Sequence, residues 1–181
     1  MTRALPPDVH IRRATDADVP ALGRLGAALL RLHYTYDPQR FMAPRGDPEE
    51  GYAWFLGSQL REDDAAIFVA ERKGDIVGYV YAGLEPLSWK ELREAAGFIH
   101  DVLVDDAHRR GGVAGALLDA ASEWLKSRGA LGTPGPQHHH CELCAVSCAW
   151  QGRNTRESAG GSRVQQQPHI GVTAGSFLIY W

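Results

Sequence analysis

The residues best suited to chemistry form one short stretch, Arg109-Arg110-Gly111-Gly112-Val113-Ala114. It follows an apolar run and leads into an amphipathic one, which is typical of a strand, a turn and a helix. A helix that begins here presents N–H groups without intrahelical partners, and its macrodipole adds partial positive charge. Two glycines and a small alanine allow the backbone to approach an anion closely, while the two arginines add cationic donors. The stretch therefore predicts a phosphate-binding turn.

Two titratable residues, His100 and Asp101, lie in the preceding apolar run, Phe98 to Val104. Side chains alternate along a strand, so we expect His100 and Asp101 to point to opposite faces, with His100 on the face of Phe98, Val102 and Val104. Only one of the two would then face a substrate. The alternative for both is a structural polar side chain in a largely buried strand.

These residues must be positioned by the surrounding elements, which the hydrophobic periods indicate. A dinucleotide-binding fold would need a G-x-G-x-x-G turn in its first strand–helix unit, which this chain lacks. The predicted elements are a strand at Val9–Arg13, a helix from about Pro20, a helix from Pro48 to about Arg61, a hairpin of Ala66–Arg72 and Ile76–Gly83 turning at Gly74, a helical insertion at Ser88–Ala96, a strand at Phe98–Val104, and a helix ending near Gly129.

The Gly-rich turn and this order of elements resemble the GNAT (Gcn5-related N-acetyltransferase) superfamily over residues 9–130. Arg109, Gly112 and Ala114 match its R/Q-x-x-G-x-G/A motif. The resemblance implies an α/β fold, with a mixed, largely antiparallel twisted sheet and flanking helices. The C-terminal strands of that fold are missing or aberrant in this sequence.

The resemblance also implies a reaction, the transfer of acetyl from acetyl-CoA to an amine. Backbone amides of Arg110, Gly111, Gly112, Val113 and Ala114 would hold the coenzyme A pyrophosphate, with Arg109 beside them. Leu103 and Val104 would offer backbone groups to the pantetheine arm. His100 would accept the proton of the acceptor ammonium, directly or through a water. Asp101 would be an ammonium partner or would support a residue that contacts the substrate. Tyr34, Tyr36, Trp54, Tyr79 and Tyr81 are weaker candidates for the acceptor side, or else packing residues.

Bulk composition excludes some classes of protein. The 181-residue chain has a net charge of −3, which gives no reason to expect binding to nucleic acid, because nucleic-acid-binding proteins usually carry a basic face. Its apolar runs are too short to span a membrane. We expect a cytoplasmic protein. Its acceptor remains open between small-molecule amines and peptide amines, and the sequence does not indicate its oligomeric state.

The character of the chain changes near residue 131. Residues 132–181 hold only five charged side chains, yet all three cysteines. We therefore expect a GNAT-like acetyl-CoA-binding domain, incomplete, at residues 1–131, and an atypical, poorly ordered tail at residues 132–181. The codons that can encode Gly135 to Glu142, read one nucleotide further on, can encode a plausible fifth strand. We therefore interpret the tail as the translation of a shifted reading frame. A divergent native tail is the alternative.

The tail also offers a metal-binding alternative, His138-His-His-Cys141-Glu-Leu-Cys144 with Cys148. Cys-x-x-Cys beside histidines has the ligand types that zinc uses, but a second well-spaced ligand pair is missing. We therefore predict no metal site. Two rival functions follow: a non-catalytic relic that at most binds coenzyme A, and a GNAT-like core with a metal-binding tail.

Overall fold

The computed structural model describes residues 5–130. Within that range the chain forms four strands and three helices in the predicted order, and 3-10 turns at Asp16–Asp18 and Asp106–His108 precede α1 and α3. The elements are β1 (Val9–Arg13), α1 (Val19–Tyr36), α2 (Pro48–Gln59), β2 (Ala65–Arg72), β3 (Asp75–Glu85), β4 (Ala96–Val104) and α3 (Val113–Ser127).

The four strands form one antiparallel sheet in the order β1-β2-β3-β4. β2 and β3 are joined by a two-residue turn, Lys73-Gly74, and both residues have positive φ, 53° and 89°. Two left-handed residues give the turn a twist that matches the twist of the strands it joins. The hairpin predicted around Gly74 is therefore confirmed.

Helices cover both faces of this sheet. Alternate strand residues on one face pack against α1 and α2, and this core contains Leu22, Leu25, Leu29, Leu56, Ile67, Val69, Tyr79 and Leu103. The other face meets α3, which buries Val113, Leu117, Ala121 and Leu125. The α/β prediction with a largely antiparallel sheet is confirmed.

Local side-chain contacts fix the 3-10 turn before α1 and the start of α2. The Asp18 carboxylate accepts the Thr15 N–H at 2.8 Å and is paired with Arg12 at 2.7 Å. At α2, the Asp47 carboxylate accepts the N–H groups of the second and third helical residues at 3.0 and 3.3 Å. A cap such as Asp47 typically contributes about 1 kcal/mol, because it satisfies N–H groups that the helix itself leaves without partners.

The helical insertion predicted at Ser88–Ala96 is wrong. β3 extends to Glu85 and β4 begins at Ala96, and the intervening chain closes as a small loop. The main chains of Ser88 and Arg93 exchange two hydrogen bonds of 2.8 and 3.0 Å. Pairing of the two strand ends brings these residues together, and this tertiary pairing overrides the helical preference of the intervening residues.

None of the helices between residues 5 and 130 combines the length and apolar character that crossing a bilayer requires. The predictions for the tail, including its order, its reading frame and the Cys/His cluster, fall on residues 131–181 and lie outside the described residues.

Candidate active site

A β-bulge in β4 changes the expected directions of His100 and Asp101. Tyr81 pairs with Asp101 but the next residue, Ala82, pairs with Ile99, so His100 is the extra residue. A bulge breaks the alternation of faces, because two residues of one strand stand opposite one residue of its partner. The prediction that His100 and Asp101 point to opposite faces is therefore wrong.

Three contacts place the His100 ring on the face covered by α1 and α2. Its centroid lies 4.8 Å from that of Tyr81 and 6.2 Å from that of Phe98. A Cβ built on Gly83 would stand 3.0 Å from His100 Nε2, so the absence of a side chain at Gly83 makes room for the ring. Phe98 thus shares a face with His100 as expected, whereas Val102 pairs with Val80 on the α3 side.

The His100 environment suits a neutral imidazole. Burial lowers the pKa of His100, and the nearby Glu85 carboxylate opposes that effect. Nε2 of His100 and Oε1 of Glu85 are 3.8 Å apart. A histidine that is neutral at physiological pH can accept a proton, which is what a general base must do.

Asp101 lies beside His100 on the same face and is held by Tyr79. The Tyr79 hydroxyl donates a hydrogen bond of 3.1 Å to Asp101 Oδ2. Burial raises the pKa of Asp101, while the Tyr79 hydrogen bond and the charge of His33 act to lower it. A buried carboxylate of this kind is stabilised by an incoming cation, such as the ammonium group of an acceptor.

Aromatic and amide side chains from α2 complete this side of the sheet. The Tyr81 hydroxyl donates to Gln59 Oε1 at 2.8 Å, and the rings of Phe55 and Tyr81 meet edge to face at 5.8 Å. Burial, followed by the charge of Asp101, raises the pKa of Tyr52. These residues, with Asp101 and His100, form what we call the acceptor face.

Some of the weaker sequence candidates lie elsewhere. Tyr79 is fully buried and acts through its hydroxyl on Asp101, while Tyr36 and Trp54 are largely exposed to solvent. Tyr52, Gln59, Glu85 and the loop residue Arg93 were not predicted from the sequence as site residues. Only the helical spacing of Tyr52 and Gln59, seven residues apart on α2, could have indicated that they share a face.

The predicted phosphate-binding turn follows β4, and its backbone has the required shape. Arg110 and Gly112 have φ of 61° and 83°, and Gly112 is the residue before the first turn of α3. The first intrahelical bond runs from Ala116 N–H to Gly112 C=O at 3.1 Å, so the N–H groups of residues 112–115 precede the hydrogen-bond ladder. No side chain caps them, since the capping position is a glycine. This arrangement fits a pyrophosphate.

The Arg109 side chain serves to close the loop. Its Nε donates to the Val104 carbonyl at 3.0 Å, and its Nη2 lies 2.7 Å from Asp106 Oδ1. The guanidinium therefore ties the loop to the end of β4, which holds the turn in place. A direct phosphate contact from this side chain stays a prediction.

Only one of the two predicted pantetheine contacts faces the open edge of β4. Asp105 N–H bonds to Val77 C=O, and hydrogen-bonded and non-bonded pairs alternate along an antiparallel ladder. The main chain of Leu103 therefore faces β3, and that of Val104 faces the other edge. Within residues 5–130, β4 pairs with a strand along its β3 edge only.

Among the described residues, no group of three or more His, Cys, Asp or Glu side chains is placed so that it could hold a metal ion. The cysteine-rich candidates lie beyond residue 130, outside the described residues.

Comparison with known proteins agrees with this geometry. The model of the acetyltransferase (GNAT) family matches residues 28–144, more than half of the chain. An uncharacterized N-acetyltransferase from Methanocaldococcus jannaschii is 36% identical over 76 residues, which are 42% of this chain and 33% of that protein. An N-alpha-acetyltransferase from Sulfurisphaera tokodaii is 32% identical over 84 residues, 44% of this chain and 50% of that protein.

Among solved structures, an acetyltransferase from Vibrio fischeri has a similar fold. Its TM-score is 0.52 at 22% identity, over 67% of this chain and 90% of that one. The strand–turn–helix site and the family match define the class of protein: this chain belongs to the GNAT family of acetyltransferases. Its matched region spans a third of the length of the first curated relative above and half that of the second.

Proposed function

We propose that this protein transfers an acetyl group from acetyl-CoA to a primary amine in the cytoplasm. One observation carries the proposal: β4 connects the acceptor face to the pyrophosphate turn. The four steps along β4 from His100 to Val104 cover about 13 Å at the usual strand rise. An extended pantetheine arm, anchored by its pyrophosphate at residues 110–114, spans such a length.

The chain's own groups support each step of this reaction. Asp101 holds the acceptor as its ammonium ion, and the His100 imidazole takes one proton from that ammonium. The amine nitrogen then forms a bond to the thioester carbonyl carbon, the C–S bond breaks, and the nitrogen gives up a second proton, which the departing coenzyme A thiolate takes up. The N–H groups at the start of α3 hold the pyrophosphate throughout.

The acceptor class remains open between small-molecule and peptide amines. The S. tokodaii relative is named as an N-alpha-acetyltransferase, so peptides with free α-amino groups deserve to be tested first. Small primary amines are the second group of acceptors to assay.

The test of the proposed function is a pH–rate comparison of His100→Gln with the native chain, measured by thiol release from acetyl-CoA. Loss of a general base costs about 10²–10⁴-fold, and the loss should shrink at high pH, where the amine is already deprotonated. His10→Gln is the matched control, because His10 is exposed on β1 at the far edge of the sheet. An identical profile for His100→Gln and the native chain would contradict the proton-accepting role.

A second candidate function, a relic that binds coenzyme A without turnover, is favoured by the change in composition near residue 131. We propose that the domain of residues 1–131 is followed by a frameshifted segment. Sequencing of the gene tests this directly: in the next reading frame, the codons of residues 135–142 should encode Val-Leu, then Ser or Asn, then a run of Thr or Ile, which would form the fifth strand. A stop codon or charged residues in that frame would contradict the frameshift. Calorimetric binding of coenzyme A without thiol release would then identify the chain as a relic.

A further inference from the structure

Glu85, at the end of β3, lies between two cationic or potentially cationic groups. Its Oε1 is 3.8 Å from His100 Nε2, and its Oε2 accepts a hydrogen bond of 2.5 Å from Arg93 Nη2. The carboxylate thus bridges the bulge of β4 and the loop that joins β3 to β4. Neither Glu85 nor Arg93 belongs to the motif on which the GNAT resemblance rests.

Arg93 is held firmly enough to fix the carboxylate. Its Nε donates to Glu91 at 3.1 Å and its Nη1 to the Glu94 carbonyl at 3.0 Å. The guanidinium also lies over the ring of Phe98, 4.4 Å from its centroid. With three side-chain hydrogen bonds, a cation–π contact and a main chain closed onto Ser88, Arg93 has little freedom to move.

We propose that Glu85, held in place by Arg93, is a positioning residue that orients the His100 imidazole and raises its affinity for a proton. This inference rests on the proposed function, in which His100 removes a proton from the acceptor ammonium. When that proton moves, an N–H bond of the ammonium breaks and an N–H bond of the imidazole forms. The resulting imidazolium faces the Glu85 carboxylate, which stabilises its positive charge.

The other groups around His100 do not replace Glu85. The Tyr81 ring, from β3, lies 4.8 Å from the imidazole with the two rings tilted by 30°, and its hydroxyl donates a hydrogen bond to Gln59 of α2. Burial raises the pKa of Tyr81 above its ordinary value. Asp101, the next residue of β4, accepts from Tyr79, and its own pKa is raised by burial. The Glu85 carboxylate lies within ion-pair distance of the His100 ring, 3.8 Å from Nε2.

The structure supplies a matched pair of variants, Glu85→Gln and Glu91→Gln. Each removes one carboxylate that Arg93 contacts, but only Glu85 reaches His100. Titration of the full chain by NMR, with the His100 signal assigned by its loss in His100→Asn, measures the effect without any assay of activity. Since a nearby negative charge favours imidazolium, we expect the pKa of His100 to fall in Glu85→Gln and to stay at the native value in Glu91→Gln.

An unchanged titration of His100 in Glu85→Gln, with the protein folded as judged by the remaining histidine signals, would overturn the inference. An equal shift of the His100 pKa in both variants would also overturn it, because the effect would then come from Arg93 or from the loop.

Rate measurements separate this inference from the proposed function. If His100 is the base, the acid limb of the pH–rate profile moves to lower pH in Glu85→Gln, with a smaller loss than the about 10²–10⁴-fold expected for removing the base. If the pKa of His100 shifts in Glu85→Gln but the acid limb of the pH–rate profile does not move, Glu85 is coupled to His100 and His100 is not the catalytic base.

Discussion

The pyrophosphate turn can be tested by replacing Gly112 with valine. Gly112 has a φ of 83° and immediately precedes α3, so its lack of a Cβ matters in two ways. A left-handed conformation costs an L-residue about 1–2 kcal/mol, which lowers the free energy of unfolding. A valine side chain at the start of the helix also obstructs an anion approaching the N–H groups of residues 112–115.

The expected effect on binding is larger than the effect on folding. A hydrogen bond to a charged group contributes about 1.5–3 kcal/mol, so losing two of them costs about 3–6 kcal/mol. That corresponds to a dissociation constant for coenzyme A about 10²–10⁴-fold higher, since about 1.4 kcal/mol is tenfold. Isothermal titration calorimetry with coenzyme A measures it directly.

Gly129 provides the matched control at the other end of α3. Its φ is 74°, and a Cβ built on it meets nothing within 4 Å. Gly129→Val therefore introduces the same backbone strain without touching the turn, and should destabilise the fold while leaving coenzyme A affinity unchanged. Equal affinities for the native chain and Gly112→Val, or equal losses in Gly112→Val and Gly129→Val, would refute the proposed cradle.

Two further predictions concern stability. A Cβ at Gly26 would lie 2.1 Å from the ring of Tyr52, so Gly26→Ala should lower the free energy of unfolding by about 1–3 kcal/mol in denaturant titrations. Gly51 has open space around it, so Gly51→Ala is the control and should raise the free energy of unfolding slightly. Equal effects of the two substitutions would contradict this packing. The Arg12 hydrogen bonds lower the pKa of Asp18 to about 2, so stability that is fully present above pH 4 should decline by about 2 kcal/mol as pH falls towards 2. Asp18→Asn should lack that decline, and thermal melts between pH 2 and 5 measure it.

The sequence by itself determined the parts of the fold that depend on neighbouring residues. The Lys73-Gly74 turn, the Asp47 cap and the amphipathic faces of α1 and α3 are local features, and a chain encodes them by composition and spacing. The Gly-rich turn is likewise local, because strand, glycines and helix follow each other directly. These features could therefore be read before the structure was known.

Tertiary structure decided how the candidate active site is assembled. The bulge at His100 depends on the register between β3 and β4, which alternation within one strand cannot reveal. Glu85 reaches His100 because the two strands pair, although fourteen residues separate them along the chain. The loop at residues 88–93 became a closed turn because the same pairing drew its ends together. Spacing along a sequence predicts which face a residue shows in a regular element, but pairing between elements decides where that regularity breaks and which residues meet.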